Sequence, residues 1–480
     1  MTGPSYGDKD PIAAPATPLA ESALALIRTS GQGAIDILAK IFSRPEKLIS
    51  SSGNSVIHGW IVDPANQDEK IDEVLVTVYR SSRSYSGEDM ADISCHGGIA
   101  AVKAVMACLK KAGFRPALPG EFTFRAFMNG KMDLTRAESV MELVSAKTNR
   151  GREQAIRRLT GLLEKEILEI KDLLVELLAG AEIYLDYSED EFLDPANDEE
   201  AGRLPSRKLA EEAAGRLAAI SDLWRRERIY AEGALAVIAG RPNAGKSSLF
   251  NYLLREDRSI VTNVPGTTRD WIEAVISVED IPLRLADTAG LREIPQAEGD
   301  EAERIGMRKS MELLDRADLV LYIIDGVKGI TKDDRNFIQS RKEAANAKPL
   351  LVLWNKSDLS VPPSAQDSII TDPIFAISAK SGEGIQNLVR SIVRTLEKTA
   401  ANPETLPENS AGPGTARQKE LIDTALNAVT EALALADAEE PLDIIAPLFR
   451  SAVNALGEIT GEISSDDILE AMFSRFCVGK

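Results

Sequence analysis

Between an apolar run at residues 234–239 and a helix-forming run at 247–254 stands Gly240-Arg241-Pro242-Asn243-Ala244-Gly245-Lys246-Ser247, and this order leaves little choice of fold. A Gly-x4-Gly-Lys-Ser pattern after a strand and before a helix is a phosphate-binding loop. Its backbone N–H groups point at phosphate oxygens, and the helix N-terminus adds partial positive charge. Lys246 brings a full charge to the β and γ oxygens, and the Ser247 hydroxyl suits Mg2+ ligation. Ala244, Gly245 and Ser248 complete the cradle. Such loops lie at the carboxyl ends of parallel strands in open α/β sheets.

Three later elements in fixed order separate guanine from adenine. Asp287-Thr288-Ala289-Gly290 follows the strand-like run 283–286, Asn355-Lys356-Ser357-Asp358 ends the run 350–354, and Ser378-Ala379-Lys380 follows 374–377. The two oxygens of Asp358 match the N1–H and 2-amino donors that only guanine offers, and a site built for such donors rejects an analogue without them. Asn355 is expected to brace the loop, Lys356 to lie over the base plane, and Ala379 to offer its backbone N–H to guanine O6. GTP is the ligand implied.

The hydrolytic machinery is less direct. Leu291 stands where Ras-like enzymes place a water-orienting glutamine, so another group must orient water, and the acidic segment 293–303 is the nearest source. Residues 261–270 form a candidate first switch, containing Thr262, Asn263, Val264, Pro265, Gly266, Thr267 and Thr268, with Thr268 as second Mg2+ ligand. Arg269 is adjacent but not assignable as an arginine finger; the alternative is a monovalent cation held by Asn243 and carbonyls of the 262–266 loop.

A chain of 480 residues is longer than a nucleotide domain needs. The reading is multidomain, α/β and α+β: an N-terminal α+β domain at 1–128, a helical part at 129–231, an inserted Ras-like P-loop domain at 232–398, and a second helical part at 399–480. Residues 137, 140, 141, 144, 156, 159, 163, 167, 170, 174 and 177 mark helical spacing in the first helical part, and 421, 425, 429, 433 and 435 in the second. Sustained heptads with flanking charges are not evident, and the second helical pattern resumes after the Gly/Pro-rich stretch 410–414.

With 75 acidic against 56 basic residues, a net charge of −19 argues against nonspecific coating of nucleic acid. The three cysteines, Cys95, Cys108 and Cys477, show no paired spacing and suggest a reducing compartment. No apolar run reaches membrane length and no signal peptide is evident, so cytoplasm is expected. His58 and His96 read as turn or core residues.

Taken with Cys95-His96-Gly97-Gly98, Pro119-Gly120-Glu121-Phe122-Thr123-Phe124-Arg125-Ala126-Phe127, Gly266-Thr267-Thr268-Arg269-Asp270 and the ending Phe476-Cys477-Val478-Gly479-Lys480, the chain resembles the MnmE (TrmE) family of tRNA modification GTPases over essentially its whole length. The resemblance implies an N-terminal folate-binding and dimerising domain, a helical domain in two pieces and an inserted GTPase domain. It implies a homodimer working with an FAD-dependent MnmG-type protein in a heterotetramer or larger complex. That complex installs an aminomethyl-type group at carbon 5 of wobble uridine in tRNA, its carbon coming from a one-carbon tetrahydrofolate of 5-formyl type. Carried over by residue, Asn243, Thr262, Val264 and Thr267 match K+ positions, Glu303 the acid that orients water, and Arg28, Asp92, Lys131 and Lys480 folate contacts. Asp92 stands where the family has Glu, and Leu19-Ala20-Glu21-Ser22-Ala23 replaces a Gly-Arg-Gly-Gly turn. Cys477, a lone thiol, is a secondary candidate. A ribosome-assembly GTPase resembling Era and EngA is the competing reading, disfavoured by the acidic balance and the Cys-x-Gly-Lys tail.

Overall fold

The computed structural model describes residues 5–6, 9–187, 206–231, 233–255, 273–287, 311–344, 347–363, 373–399 and 411–480. The chain opens with β1 (Ile12–Pro15), β2 (Leu24–Ser30), α1 (Ala34–Ala39) and α2 (Pro45–Ile49). A hairpin of β3 (Ser55–Asp63) and β4 (Asn66–Tyr79) follows, then β5 (Met90–His96), α3 (Ile99–Ala112), β6 (Arg115–Pro116) and α4 (Glu121–Met128). Next come α5 (Leu134–Ser145), α6 (Asn149–Leu159), α7 (Leu162–Tyr187) and α8 (Arg207–Ala231). The motif-bearing block supplies β7 (Ala234–Gly240), α9 (Lys246–Arg255), β8 (Glu273–Val278), β9 (Ile281–Asp287) and β10 (Leu319–Asp325). It continues with α10 (Lys332–Glu343), β11 (Leu350–Asn355), β12 (Ile374–Ile377) and α11 (Ile385–Thr399). Helices α12 (Ala416–Asp437), α13 (Leu442–Thr460) and α14 (Asp466–Phe473) follow.

Two compact units partition the chain, one of Met1–Met141, Leu159–Pro205 and Ala434–Lys480, the other of Glu142–Arg158 and Ser206–Leu433. In the first, the strand order is β3-β4-β5-β2-β1-β6, antiparallel except where β1 meets β6. Period-two alternation sets its sidedness: Val74, Val76 and Val78 of β4 are buried while Glu73 and Leu75 face outward. Ile35 and Leu38 of α1 and Val102, Val105 and Leu109 of α3 close the buried face.

The same unit holds α7 against α13. On α7 the buried residues Leu163, Ile167, Ile170, Leu174, Leu177 and Ala181 alternate steps of four and three, and they meet the broader buried face of α13, which includes Ile445, Phe449, Ala452, Leu456 and Ile459. Lys171 pairs with Glu462 and Glu182 with Arg450, so the helices run antiparallel. This seam joins residues far apart in the chain, so local spacing does not announce it. Burial of its large side chains contributes on the order of 10 kcal/mol before ordering entropy is subtracted.

In the second unit the strand order is β12-β11-β10-β7-β9-β8, parallel except for the β8–β9 hairpin. Both faces are covered, which is why β7 reads as an unbroken apolar run. Ala234, Ala236 and Ile238 face α9 and α11 residues such as Leu249 and Leu388, while Leu235, Val237 and Ala239 join Ile338 of α10 on the other side. Arg158 of α6, only 1% exposed, pairs with Glu142 (2.7 Å) and with Glu227 of α8 (2.5 Å). Residues 411–413 are buried against this cluster, and a Cβ on Gly414 would lie 1.9 Å from Glu142 Oε1. The glycines there permit close packing rather than looseness. In α12 the buried stripe is Gln418, Ile422, Ala425, Ala428, Val429 and Ala432, with Leu421, Leu433 and Leu435 only half-buried.

Candidate nucleotide site

The phosphate loop joins β7 to α9 at the carboxyl edge of the sheet. Gly240 has φ +143°, and a Cβ there would meet Ile323 O at 2.4 Å, so the strand leaves the sheet only through glycine. Asn243 adopts a left-handed φ of 64°, which asparagine tolerates better than most residues. Lys246 Nζ donates to Gly240 O (3.0 Å) and Arg241 O (2.9 Å), folding its ammonium over the loop that phosphates would fill. Ser247 Oγ donates to Asp287 Oδ2 at 3.0 Å. A hydroxyl and a carboxylate converging at the head of a phosphate loop form an oxygen set that fits Mg2+.

Asn355 ties the motifs together. Its Nδ2 donates to Ala244 O (2.8 Å) and its Oδ1 accepts the Ala379 N–H (3.0 Å), so one buried amide joins the phosphate loop and both base-reading segments. Bracing by Asn355 is legible in the motif; the occupation of the Ala379 N–H by Asn355 Oδ1 is not. A Cβ on Gly245 would fall 2.0 Å from Asn355 Nδ2, so glycine is required beside the brace. Lys356 has φ 65° and pairs with Asp325 Oδ2 at 2.8 Å. Burial pushes the Asp325 carboxyl up, yet bonds from Lys356 and the Val327 N–H outweigh it and hold the group below its ordinary range. Sequence reasoning misses Asp325, although an acid ending the apolar run 319–325 in register with Asn355 is a visible signal. Asp358 is exposed beside Ser357, whose N–H donates to Ile377 O (3.1 Å), while Ser378 is buried and Lys380 exposed. Thr262, Asn263, Val264, Pro265, Gly266, Thr267, Thr268, Thr288, Ala289, Gly290 and Glu303 lie outside the described residues.

A second constellation sits on the N-terminal sheet. Arg28 and Asp92 are register partners on β2 and β5, joined by Nε–Oδ1 (2.9 Å) and Nη2–Oδ2 (3.1 Å) bonds. The shorter Asp therefore still reaches the guanidinium bidentately, and both groups are engaged with each other rather than turned to a ligand. Arg28 stacks over Tyr85 at 5.7 Å, and Tyr85 OH bonds Thr123 Oγ1 at 2.8 Å. Lys131 Nζ donates to Ser82 O (2.7 Å), and the Phe122 N–H donates to Lys480 O (3.2 Å). The segment 81–87 and α4 thus connect all four expected residues.

The Pro119–Phe127 motif explains itself here. Glu121, fully buried, accepts from Arg115 (2.7 Å) and Arg125 (2.9 Å), and Phe124 meets Phe473 edge-on at 5.4 Å. At Gly97 a Cβ would lie 2.2 Å from Ser22 O, where the 19–23 loop rests. His96 is no core residue: its ring is 64% exposed and its Nδ1 bonds Asp72 Oδ1 at 2.6 Å, raising its pKa. His58, also exposed, bonds Glu73 (2.8 Å). Burial pushes the Cys95 thiol up to about 11, while Cys477 is exposed.

Residues 11–131 match the family model for the GTP-binding protein TrmE N-terminus, and residues 134–477 match that for the MnmE helical domain. The chain belongs to the MnmE family. A Treponema denticola tRNA modification GTPase MnmE is 42% identical, with 99% of each chain covered. The Carboxydothermus hydrogenoformans protein of the same name is 39% identical over 98% of this chain and 100% of its own. Among solved structures, a single-substitution variant of Aquifex aeolicus Era bound to GDP·AlF4− aligns with 41% of this chain and 66% of its own, at 26% identity and TM-score 0.27. The Thermotoga maritima FeoB G domain aligns with 35% and 99%, at 21% identity and TM-score 0.25. As a family member carrying an intact phosphate loop, the chain is a GTP-hydrolysing enzyme. Among the described residues no helix is long and apolar enough to cross a membrane.

Proposed function

We propose that this chain couples GTP hydrolysis to modification of carbon 5 of wobble uridine in tRNA, as a cytoplasmic homodimer working with an FAD-dependent MnmG-type partner. The observation that carries the GTPase half is the Asn355 amide, which locks the phosphate loop to the base-reading segments. The near-complete length match to proteins named for tRNA modification supports the other half. In this reading residues 1–128, 129–231, 232–398 and 399–480 serve as folate-binding, helical, GTPase and helical parts. Ser247 and Thr268 hold Mg2+, which neutralises phosphate charge when bound, and Lys246 moves from the loop carbonyls to the phosphates. Asn243, with Thr262, Val264 and Thr267, holds K+ where an arginine finger would act, and Glu303 orients water.

The one-carbon tetrahydrofolate is assigned to Arg28, Asp92, Lys131 and Lys480. Contact of Arg28 with the Tyr85 ring, and the closeness of α4 to Lys480, support this corner as its seat. Steady-state GTPase rates in matched KCl and NaCl test the reading. Strong stimulation by K+, lost in Asn243→Ala, is expected; equal slow rates in both salts would remove the cation-assisted mechanism. Nucleoside mass spectrometry of tRNA from a deletion strain tests the substrate, since unchanged wobble uridines would sink it.

A further inference from the structure

Helix α6 is held very differently at its two ends. Its C-terminal turn is fixed by Arg158, buried between Glu142 and Glu227 and donating also to Gly412 O (3.3 Å). Breaking such a buried pair leaves an uncompensated charge, so this end stays in place. Its N-terminal turn rests on the nucleotide-binding sheet through light contacts. Thr148 caps the helix by accepting the Gly151 N–H (3.2 Å) while its hydroxyl donates to Tyr230 O (3.4 Å). The Asn149 N–H reaches Asp280 Oδ1 at 3.4 Å, and Asp280 with Glu279 forms the left-handed turn of the β8–β9 hairpin. Arg150 bonds Tyr230 OH and stacks on its ring at 4.8 Å; that hydroxyl donates to Glu397 of α11 at 2.8 Å. Arg150 and Glu397 are 52% and 47% exposed, the setting in which ion pairs are weakest.

The hairpin gripped by this turn is also the element that presents Asp287 to Ser247, and it joins the two segments that motif order assigns to sensing the γ-phosphate. We propose that the N-terminal turn of α6 with Tyr230 is a releasable clasp that transmits the position of the β8–β9 hairpin to the helical segments, with Arg150 and Tyr230 as positioning residues coupling GTP hydrolysis to the modification reaction. The inference rests on the GTPase reading above. Displacement of the hairpin must either carry α6, pivoting about Arg158, or open the Asn149–Asp280 and Arg150–Tyr230–Glu397 contacts. Glycine at 151 fits the role, since a Cβ there would lie 2.9 Å from Tyr230 O and hold the clasp apart.

Full-length protein carrying Arg150→Ala with Tyr230→Phe provides the test, and Tyr230→Phe alone, which removes one hydroxyl, serves if the double variant does not fold. Expected are a GTPase rate within about twofold of wild type, nucleotide-dependent amide exchange across α6 in wild type but not in the variant, and modified tRNA nucleoside lowered about tenfold in cells with the variant as sole copy. Full modification in the variant, or α6 exchange in wild type indifferent to nucleotide, would overturn the clasp. A variant that loses GTPase and modification together would overturn it too, by placing these residues in hydrolysis itself. Wild-type protein that hydrolyses no GTP would instead sink the underlying reading, a result distinguishable from all of these.

Discussion

The Asn355 side chain carries more of the nucleotide site than its neighbours because it satisfies two main-chain groups at once, Ala244 O and the Ala379 N–H. Truncation to Ala would leave a buried donor and a buried acceptor unpaired, each costing about 1–3 kcal/mol. Asn355→Ala is therefore expected to lower stability in urea by about 2–4 kcal/mol and to weaken GTP binding in a fluorescent-analogue titration. Retained affinity would remove the brace from the argument. The motif residues are readable because their chemistry is local: a phosphate loop must have Gly245, and Asp358 is proposed as base selector from its place in Asn355-Lys356-Ser357-Asp358 alone. Partners such as Asp325, and the tenancy of Ala379 N–H, depend on strand register and are not readable. At His96 the bond that Nδ1–H donates to Asp72 Oδ1 holds the imidazolium and raises its pKa above 6.5. Its stabilising contribution is thus present below pH 6.5 and lost as pH climbs through the raised folded value. Denaturant midpoints recorded across that window should fall less steeply in His96→Gln than in wild type; identical slopes would show that the pair is inert.

At the scale of elements, the helices show where sequence reading ends. Spacing at 163, 167, 170, 174 and 177 announces the helix of residues 162–187, but not that it packs against the helix of residues 442–460. Pairing is a tertiary choice, made by side chains far apart in the chain. Residues 411–414 pack closely around Arg158, where glycine leaves room for Glu142 and Glu227, a demand that composition alone does not announce. Arg158→Met keeps volume but strands Glu142 and Glu227, and is expected to cost about 3–5 kcal/mol by chemical denaturation. Adding Glu142→Gln and Glu227→Gln should recover much of that loss. A single Arg158→Met of wild-type stability would show that the cluster is solvated rather than sealed.

On the scale of the molecule, composition and motif order suffice to place an α/β block between helical stretches and, in chain order, after an α+β domain. The division of the helices between two compact units follows only from the structure. Long-range closure is most visible at Phe476, which is buried, packs on Phe473 at 5.3 Å and crowds Gly120 so closely that a Cβ there would lie 2.8 Å from its Cβ. Phe476→Ala is expected to cost about 3 kcal/mol. It should also speed amide exchange at Phe122, whose N–H bonds Lys480 O. Unchanged exchange there would mean that the tail is an accessory and not a wall of the corner.

That wall has a price in time as well as in energy. The sheet built from residues 12–116 leaves the ribosome early, whereas Gly120 and the Phe122 N–H await partners at 476 and 480. Roughly 350 residues separate the two, which at about 5–20 residues per second is some tens of seconds. During that interval α4 presents Phe124 with no Phe473 to meet it. Vectorial synthesis thus opens a window for misassociation and for holding chaperones, and the corner proposed to take a folate is finished only once synthesis has reached Lys480.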